Sequence, residues 1–358
     1  MADPPALFTP LALRGLTLKN RIAVSAMCQY SCQDGFATDW HLVHLGGRAV
    51  GGAALVVVEA TAVEARGRIS PACVGLWKDA HIPPLARIAR FVQSQGAVAG
   101  IQIHHAGRKA STQPPWEGRR PVGPAEGGWE VVAPSPLPFD AGYPVPHALT
   151  VGEIADVVAA FARAAERALE AGFEFVEVHA AHGYLIHEFN SPLANQRDDA
   201  YGGSFAGRTR LCREVVAAVR RVWPVDRPVA VRLSCTDWVE GGWDPAQTVA
   251  LARELKALGV DLIDCSSGGT VPYQRIVEAP GFQVPFADRV RHEVGVPTAA
   301  VGLITEPRQA DAIVAEGQAD LIFMAREFLR EPYWPLKAAR ALGCDVAWPV
   351  QYARAKPR

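Results

Sequence analysis

Short apolar runs recur along the chain, and each is followed by a loop and then by a segment whose apolar residues have helical spacing. This alternation is typical of repeated βα units that form a parallel sheet. The runs are continuously apolar, which indicates strands covered on both faces. Eight strands are predicted, at residues 21–27, 54–61, 98–105, 173–180, 229–234, 261–267, 297–302 and 320–325.

Helix signals lie between these runs. Residues 150–172 begin with Thr150 and Glu153, which have the spacing of a capping box. A later helix has Asp244 as its predicted N-cap and Pro245 at its first helical position. Eight strands, each followed by a helix, predict an α/β fold of the (β/α)8 TIM barrel type.

One domain, residues 1–358, accounts for the whole pattern. An open doubly wound sheet is the alternative, but it requires a glycine fingerprint after the first strand, and RIAVSAMCQY contains none. Residues 7–21 alternate around Gly15 and predict an N-terminal β-hairpin that floors the barrel. Residues 107–150, after strand three, are rich in proline and glycine, and we expect a long lid loop there.

Composition narrows the classes of partner. The 358 residues include 36 basic and 37 acidic side chains and no long basic run, so no nucleic-acid partner is expected. The first residues lack a signal-peptide pattern and no apolar stretch approaches the ~20 residues of a membrane span, which predicts a cytoplasmic protein without a membrane partner. Seven scattered cysteines without a C-x-x-C pair indicate neither a disulfide framework nor a thiolate metal site.

In a barrel of this kind, the chemistry lies on the loops at the carboxyl ends of the strands. The residues delivered there favour a flat, anionic, hydrogen-bonding ligand. Gln102 offers a donor and an acceptor to a heterocycle edge, and Arg232 offers a cation. Gly302 and Arg326, after strands seven and eight, stand where barrels commonly hold phosphate.

A metal site is the competing interpretation of the same region. His179 and His182, with His104 or His105, could form a three-histidine site. The only carboxylates near the strand ends are Glu59 and Glu177, and we expect both to point into the barrel wall. Since hard or borderline ions usually recruit carboxylates, no metal is predicted.

Six segments together resemble the old yellow enzyme family of FMN-dependent ene-reductases, in its YqjM-like and xenobiotic-reductase branch. They span nearly the whole chain in the family's order, which makes the resemblance highly specific. The segments are SAMCQYS (25–31), GIQIHHAGRKA (100–110), VEVHAAHGYLIHEFNSPLANQRDDAYGGS (176–204), AVGLIT (300–305), AREFLREP (325–332) and PVQYARA (349–355).

The resemblance implies tightly bound, non-covalent FMN, with NADPH or NADH as the reductant. It implies flavin contacts from Ser25, Ala26, Met27, Cys28, Ala60, Gln102, Arg232, Ala325 and Arg326, in addition to the phosphate role expected for Gly302. The Cys28 sulfur would lie near the reactive edge of the flavin and tune its reduction potential. Alanine stands at position 26, where the family usually has proline, and at position 325, where it usually has glycine.

The implied substrates are enones, maleimides or nitro compounds. His179 and His182 would donate hydrogen bonds to the substrate carbonyl, Tyr184 would donate the proton, and Tyr30 would contact the substrate from across the pocket. Hydride addition to an enone builds negative charge on the carbonyl oxygen, so two imidazole donors fit that role. Arg354 would reach from one subunit into the active site of another, which implies a homodimer or homotetramer.

Two further functions remain open from the sequence: a metal-dependent barrel hydrolase and a flavin-binding sensor without turnover. Some nearby residues are expected to be structural. His41 and His44 should pack in a helix, and His187 should cap backbone groups. Trp116 and Trp129 could either face the substrate or anchor the long loop.

Overall fold

Eight parallel strands form a closed barrel in the computed structural model, which describes residues 4–357. Each barrel strand pairs with the next barrel strand along the chain, and the last pairs with the first. The barrel strands are β3 (Ile22–Val24), β4 (Leu55–Ala62), β5 (Val98–His104), β8 (Phe175–Ala180), β9 (Val229–Ser234), β10 (Leu262–Ser266), β11 (Thr298–Ala300) and β12 (Leu321–Met324).

Helices surround the barrel and connect its strands. They are α1 (Asp39–Val50), α2 (Ile82–Ser94), α3 (Val151–Glu170), α4 (Leu185–Asn190), α5 (Phe205–Arg208), α6 (Arg210–Val222), α7 (Pro245–Ala257), α8 (Val284–Val294), α9 (Pro307–Ala315), α10 (Arg326–Arg330) and α11 (Trp334–Ala341). All eight predicted strands overlap observed barrel strands, so the (β/α)8 prediction is confirmed.

The predicted helix starts are confirmed by their hydrogen bonds. Thr150 Oγ1 accepts the Glu153 amide at 3.3 Å, and the Glu153 carboxylate accepts the Thr150 amide at 2.8 Å. The Asp244 carboxylate accepts the Gln247 amide at 2.9 Å. These side chains satisfy amide donors that have no partner within the helix, which is why α3 and α7 begin at these positions.

The N-terminal hairpin closes the bottom of the barrel, as predicted. Its strands are β1 (Leu11–Leu13) and β2 (Leu16–Leu18). Arg14 Nε lies 2.5 Å from Asp261 Oδ1, just before β10, and the Gly15 amide donates to the Asp226 carbonyl at 2.8 Å, just before β9. Since both partners precede barrel strands, the hairpin leaves the carboxyl ends of the strands open.

The barrel interior changes from apolar at the bottom to polar at the carboxyl ends. Along β8, alternate residues are Phe175, Glu177 and His179, and all three are buried. Side chains two apart on a strand share a face. Phe175 packs with the apolar floor of the barrel, so Glu177 lies one level higher and His179 at the mouth.

The predicted long loop joins β5 to α3 and is fastened to the barrel at several points. It contains short 3-10 turns and two two-residue strands, β6 (Val132–Ala133) and β7 (His147–Ala148), which pair in parallel. Arg197 Nη1 donates to the Pro134 carbonyl at 2.9 Å and to the Leu149 carbonyl at 2.6 Å. Its irregular structure is therefore confirmed, whereas its role as a lid remains a prediction.

No helix within residues 4–357 is long and apolar enough to cross a membrane. All seven cysteines are free thiols, and Cys73, Cys212, Cys235 and Cys265 are buried.

Candidate active site

His179 and His182 meet at the mouth of the barrel across a tight turn. His182 has φ +60° and Gly183 has φ +69°. A Cβ on Gly183 would lie 2.0 Å from the Gly269 carbonyl oxygen, so the turn requires glycine at this position. The His182 amide donates to Ser234 Oγ at 2.9 Å, which helps fix the left-handed residue.

Hydrogen bonds assign the ring proton of His179 and define the polar contacts of His182. The Ala181 amide donates to His179 Nδ1 at 3.2 Å, so the ring proton of His179 lies on Nε2. His179 Nε2 lies 3.3 Å from His182 Nδ1, and His182 Nε2 lies 2.7 Å from Ser266 Oγ. Burial, together with neighbouring cationic groups, holds the pKa of each histidine well below its usual value. Both rings are therefore neutral at pH 7.

Tyr184 lies against the same histidines. Its ring centroid is 4.5 Å from that of His104 and 5.1 Å from that of His179, edge to face in both cases. Burial raises the pKa of the Tyr184 phenol, so the hydroxyl keeps its proton. Tyr184 also packs in one apolar cluster with Cys28 and Tyr30, so the residues predicted for catalysis lie close together.

The two neighbouring histidines on β5 have different surroundings. Both ring nitrogens of His104 are buried without a hydrogen-bond partner among residues 4–357. His105 Nε2 lies 3.3 Å from Glu64 Oε2. Only His104 therefore faces the cluster of His179 and Tyr184.

The loop tryptophans have separate positions. Trp129 Nε1 donates to the Arg66 carbonyl at 2.7 Å, and the Arg68 guanidinium lies 4.5 Å from the Trp129 ring, so Trp129 anchors the loop. Trp116 is 67% exposed and contacts Tyr30 edge to face at 5.8 Å. Trp116 therefore belongs to the open rim above the pocket.

A layer of charged side chains fills the barrel interior below the histidines. Arg232 Nη1 donates to Ser25 Oγ at 2.9 Å, and Arg232 Nε lies 3.0 Å from Asp264 Oδ2. Gln102 Nε2 donates to Glu177 Oε1 at 2.7 Å. The expectation that Glu177 points into the wall is therefore wrong, since its even spacing with Phe175 and His179 turns it inward.

This layer holds more carboxyl groups than cations. Burial and the nearby Asp264 raise the pKa of Glu177 to about 8. Burial raises the pKa of Asp264 to about 6, against the opposing effect of Arg232. At neutral pH, Glu177 is therefore protonated, and Asp264 is the carboxylate that pairs with Arg232.

The remaining predicted cofactor residues also lie at strand ends. A cavity of about 130 Å³ is lined by Gly302, Ala325 and Arg326, among others. Gly302 has φ +118°, and a Cβ there would lie 2.8 Å from Gln283 Nε2, so the backbone requires glycine. Ala325 has φ −115°, so alanine in place of the family's glycine causes no left-handed strain.

Ala26, Met27 and Ala60 provide apolar packing around these groups. Ala26 packs against the floor of the barrel, Met27 packs against the core outside it, and Ala60 is buried in β4. The sequence placed them correctly at strand ends, and their contact with a cofactor remains a prediction.

Lys109 is a site residue that the sequence analysis missed. Its Nζ donates to the His182 carbonyl at 2.8 Å and to the Gly269 carbonyl at 2.9 Å. It also lies 5.0 Å from the centroid of the Tyr184 ring. Burial lowers the pKa of Lys109 to about 7. Its place five residues after the end of β5 was a usable signal, but its partners come from two other loops.

The histidines expected to be structural are all buried. His187 Nδ1 accepts the Gly183 amide at 2.8 Å, which confirms its predicted capping role. His44 packs in α1 as expected. His41 also lies in α1, but its Nε2 is 3.1 Å from Glu59 Oε1, a contact that the sequence did not predict.

The predicted subunit-bridging residue lies near the C-terminus. Arg354 is in the exposed 3-10 helix Val350–Ala355. The hydroxyl oxygen of Tyr352 is 3.3 Å from that of Tyr333, so this segment rests against its own chain just before α11. The contact of Arg354 with another subunit remains a prediction.

Histidine, cysteine and carboxylate side chains are the usual ligands of a metal centre. Within the described range, 4–357, no three or more of them converge as a set of metal ligands.

Comparisons with known proteins agree on one family. The sequence model of the NADH:flavin oxidoreductase / NADH oxidase family matches residues 6–344. The chain is 47% identical over 350 residues to an NADPH dehydrogenase of Geobacillus sp. strain WCH70, covering 97% of this chain and 98% of that protein. It is 48% identical over 351 residues to an NADPH dehydrogenase of Bacillus licheniformis, covering 98% of each.

Solved structures give a consistent result. Morphinone reductase superposes with a TM-score of 0.79 at 29% identity, covering 97% of this chain and 92% of that chain. A complex of morphinone reductase with tetrahydroNAD also gives 0.79 at 29% identity, covering 96% and 93%. A 2-naphthoyl-CoA reductase in complex with 2-naphthoyl-CoA gives 0.86 at 28% identity, covering 94% of this chain and 52% of that chain.

The protonated Glu177 predicts a dependence of stability on pH. With a pKa of about 8 when folded, Glu177 keeps a proton that an ordinary glutamate releases on unfolding. Its contribution to stability is therefore greatest at low pH and is lost as pH rises toward 8, at about 1.4 kcal/mol per pH unit for one whole proton. Glu177→Gln stays neutral, so urea unfolding between pH 5.5 and 8.5 should show a shallower decline than in the wild type.

The exposed Glu166→Gln on α3 is a matched control for this measurement, because it makes the same chemical change at a solvated position. Asp264 and Glu188 also have raised pKa values, of about 6 and about 8. Their ionisation lowers stability as pH rises, so part of the decline remains in every variant. Parallel stability curves for the wild type and Glu177→Gln would show that Glu177 is ionised in the folded protein.

Proposed function

The chain belongs to the NADH:flavin oxidoreductase / NADH oxidase family, that of the old yellow enzymes, and from this premise we propose that it is an ene-reductase. FMN is its cofactor and a nicotinamide nucleotide is its reductant. The proposed substrates are α,β-unsaturated carbonyl or nitro compounds, maleimides among them. The observation that carries the proposal is the meeting of two neutral imidazoles and an un-ionised phenol at the barrel mouth.

The polar and cationic groups at the strand ends suit FMN. Gln102 can pair with a heterocycle edge, and Arg232 is a buried cation whose Nε has no aligned hydrogen-bond acceptor. The cavity beside Gly302 and Arg326 suits a phosphate, because a guanidinium and a backbone without Cβ line it. The chemistry that FMN supplies when bound is hydride transfer, first from the nicotinamide and then to the β-carbon of the activated alkene.

His179 and His182 would hold the substrate carbonyl or nitro oxygen. His179 presents its Nε2 proton toward the mouth, 3.3 Å from His182 Nδ1. The Ser266 hydroxyl can donate to His182 Nε2 as well as accept from it, so His182 can carry its proton on Nδ1 instead. Both imidazoles can then donate to one oxygen and stabilise the negative charge that develops there.

Tyr184 would supply the proton to the α-carbon. Its phenol is buried beside the histidines and retains its proton, so no ionised acid has to be buried for the transfer. Tyr30 lies in the same apolar cluster and would contact the substrate from across the pocket. Cys28 belongs to this cluster too, which supports its proposed place beside the flavin.

The same mouth would serve both half-reactions. The sequence relatives are named NADPH dehydrogenases, and tetrahydroNAD occupies one morphinone reductase structure. We infer that NADPH or NADH binds first, leaves after reducing the flavin, and is replaced by the alkene. The family result favours this scheme over a metal-dependent hydrolase or a flavin sensor without turnover.

The test begins with the purified protein. We expect flavin absorbance, a long-wavelength charge-transfer band when a phenol is added, bleaching by NADPH without oxygen, and recovery of colour with 2-cyclohexenone. A colourless protein that hydrolyses substrates with a bound metal would contradict the proposal. Bleached flavin that no enone, maleimide or nitroalkene reoxidises would instead support a sensor.

His179→Ala should slow the oxidative half-reaction by roughly 100-fold, the usual effect of losing one donor to a developing oxyanion. The measurement is the single-turnover rate with 2-cyclohexenone after anaerobic reduction. His44→Ala, a buried histidine in α1 away from the mouth, is the matched control. Equal oxidative rates for wild type and His179→Ala would remove His179 from the carbonyl site.

Tyr184→Phe should leave the flavin reduction rate nearly unchanged and slow alkene reduction, because only the proton donor is lost. The edge contacts to His104 and His179 need the ring and not the hydroxyl, so the pocket should keep its shape. Stopped-flow spectroscopy separates the two half-reactions. Unchanged alkene turnover would exclude Tyr184 as the donor.

We propose that the protein forms a homodimer or homotetramer in which Arg354 reaches the active site of another subunit. The exposed 3-10 helix that carries it supports this arrangement. Arg354→Ala should raise KM for the alkene without changing the oligomeric state measured by analytical ultracentrifugation. Arg340→Ala, on α11, is a control for loss of a nearby positive charge. Identical kinetics for the wild type and Arg354→Ala would show that the C-terminal segment around Arg354 has only a structural role.

A further inference from the structure

His104 is the last residue of β5 and lies level with His179 inside the barrel. The register of β5 with β8 pairs Gln102 with Glu177, and these two side chains are hydrogen-bonded to each other in the barrel interior. Side chains two residues apart on a strand share a face, so His104 and His179 follow on the same inner face, one level nearer the mouth. Their ring centroids are 5.1 Å apart. A ligand held by His179 therefore lies close to His104 as well.

The nitrogens of His104 have no partner in the protein. Both are buried without a hydrogen bond, and no other histidine within residues 4–357 has both nitrogens in this condition. Burial, with smaller effects of His105 and Lys109, holds the pKa of His104 well below its usual value, so the ring is neutral. It therefore carries one N–H donor and one free acceptor. Such buried groups are costly unless something satisfies them, which points to a ligand as the partner of His104.

His104 is held by ring packing and keeps its polar atoms available. The Tyr184 ring contacts it edge to face, with the centroids 4.5 Å apart. In His179 the Ala181 amide selects one tautomer, but no group within residues 4–357 makes such a hydrogen bond to His104. The proton of His104 can therefore lie on either ring nitrogen and be directed to a ligand on either side.

Three neutral imidazoles are thus neighbours at the mouth. The ring centroids of His179 and His182 are 5.0 Å apart, and those of His104 and His179 are 5.1 Å apart. A carbonyl oxygen has two lone pairs, which His179 and His182 can satisfy. A planar group with two oxygens on one atom, such as a nitro group, places a second acceptor beside the first. The third imidazole is adjacent to His179 and can donate to that second oxygen.

We propose that His104 is a specificity-determining residue that donates a hydrogen bond to the second oxygen of a two-oxygen substrate group, and so favours nitroalkenes over simple enones. The inference deepens the proposed function and rests on it for the reaction. The binding of a two-oxygen group stands on the arrangement of the imidazoles.

The distribution of charge in the reaction explains the preference. When a nitroalkene accepts hydride from the reduced flavin at its β-carbon, the electron pair of the alkene moves to the nitro group, and two oxygens share the negative charge. The α-carbon then takes the proton of Tyr184. Donors to both oxygens stabilise the charge as it develops. In an enone only one oxygen gains charge, so His104 contributes less.

His104→Phe in the flavin-loaded, full-length enzyme tests the proposal, because it keeps a ring against Tyr184 and removes both nitrogens. Oxidation of the reduced flavin by 1-nitrocyclohexene should slow at least about 10-fold more than oxidation by 2-cyclohexenone, since a donor to a developing anion is lost. The measurement is the ratio of the two single-turnover rates. His44→Phe, the same exchange at a buried histidine of α1, is the matched control and should keep the wild-type ratio.

Two amide variants separate a hydrogen bond from a packing effect. Asparagine places an N–H near the position of Nδ1, and glutamine places one near that of Nε2. Either His104→Asn or His104→Gln should therefore restore most of the wild-type rate ratio. If His104→Phe does not fold, a ratio that differs strongly between the two amide variants is the expected result, and equal ratios in both would contradict the proposal.

A binding measurement tests the same contact without turnover. Phenol offers one oxygen and benzoate offers two on one carbon, and neither is an activated alkene. By calorimetry, His104→Phe should weaken benzoate about 10-fold more than phenol, the usual scale for one hydrogen bond to a charged group. A wild type that binds phenol but not benzoate would contradict the proposal.

The outcomes distinguish this inference from the proposed function. If benzoate binding weakens in His104→Phe but the wild type reduces neither alkene, the ene-reductase proposal fails and the contact of His104 with a second oxygen stands. If the alkenes are reduced, both ratios should shift, and a shift in only one contradicts the preference for nitroalkenes. Equal losses for all four ligands would instead assign His104 to packing or to the flavin and would overturn the inference.

Discussion

Arg232 is buried inside the barrel with two carboxyl groups, and the active face is arranged around that burial. One guanidinium cannot compensate two buried carboxylates, so a proton stays on Glu177 while Asp264 pairs with Arg232. The Gln102 amide then satisfies one oxygen of Glu177. The layer is thus nearly neutral overall yet presents a cation toward the mouth, which suits a cofactor that becomes more negative on reduction. A buried arginine without a carboxylate partner would cost more free energy. If both carboxyl groups were ionised, the layer would repel an anionic cofactor.

The histidines at the mouth of the barrel are also uncharged. His179 and His182 are neutral chiefly because burial excludes water from them, and the nearby Arg232 lowers their pKa values further. Neutral imidazoles can still donate, but only if each proton is on the correct nitrogen. The Ala181 amide fixes that nitrogen in His179, while Lys109 and Ser234 hold the backbone of His182. Hydrogen bonds with backbone groups therefore determine which ring nitrogen of His179 carries the proton and hold His182 in place.

The sequence predicted the elements that local patterns specify. The strand ends, the caps at Thr150 and Asp244, and the joint position of His179 and Tyr184 followed from short-range spacing. Glu177 was misassigned, although alternate spacing along β8 would have turned it inward. The contacts of Lys109 with the β10 loop and of His41 with Glu59 join distant parts of the chain. No local pattern encodes such pairs.

Ser266 shows why a hydroxyl suits the position behind His182. An amide nitrogen or a lysine there could only donate, and a carboxylate could only accept, so either would lock His182 into one tautomer. A serine hydroxyl rotates and can do both, 2.7 Å from His182 Nε2. In one arrangement, His182 Nδ1 accepts a hydrogen bond from the Nε2–H group of His179, and the Nε2–H group of His182 donates one to the Ser266 hydroxyl. With a carbonyl oxygen at the mouth, the roles reverse and both imidazoles donate outward. The pocket can therefore keep its hydrogen bonds satisfied in both states without burying a charge.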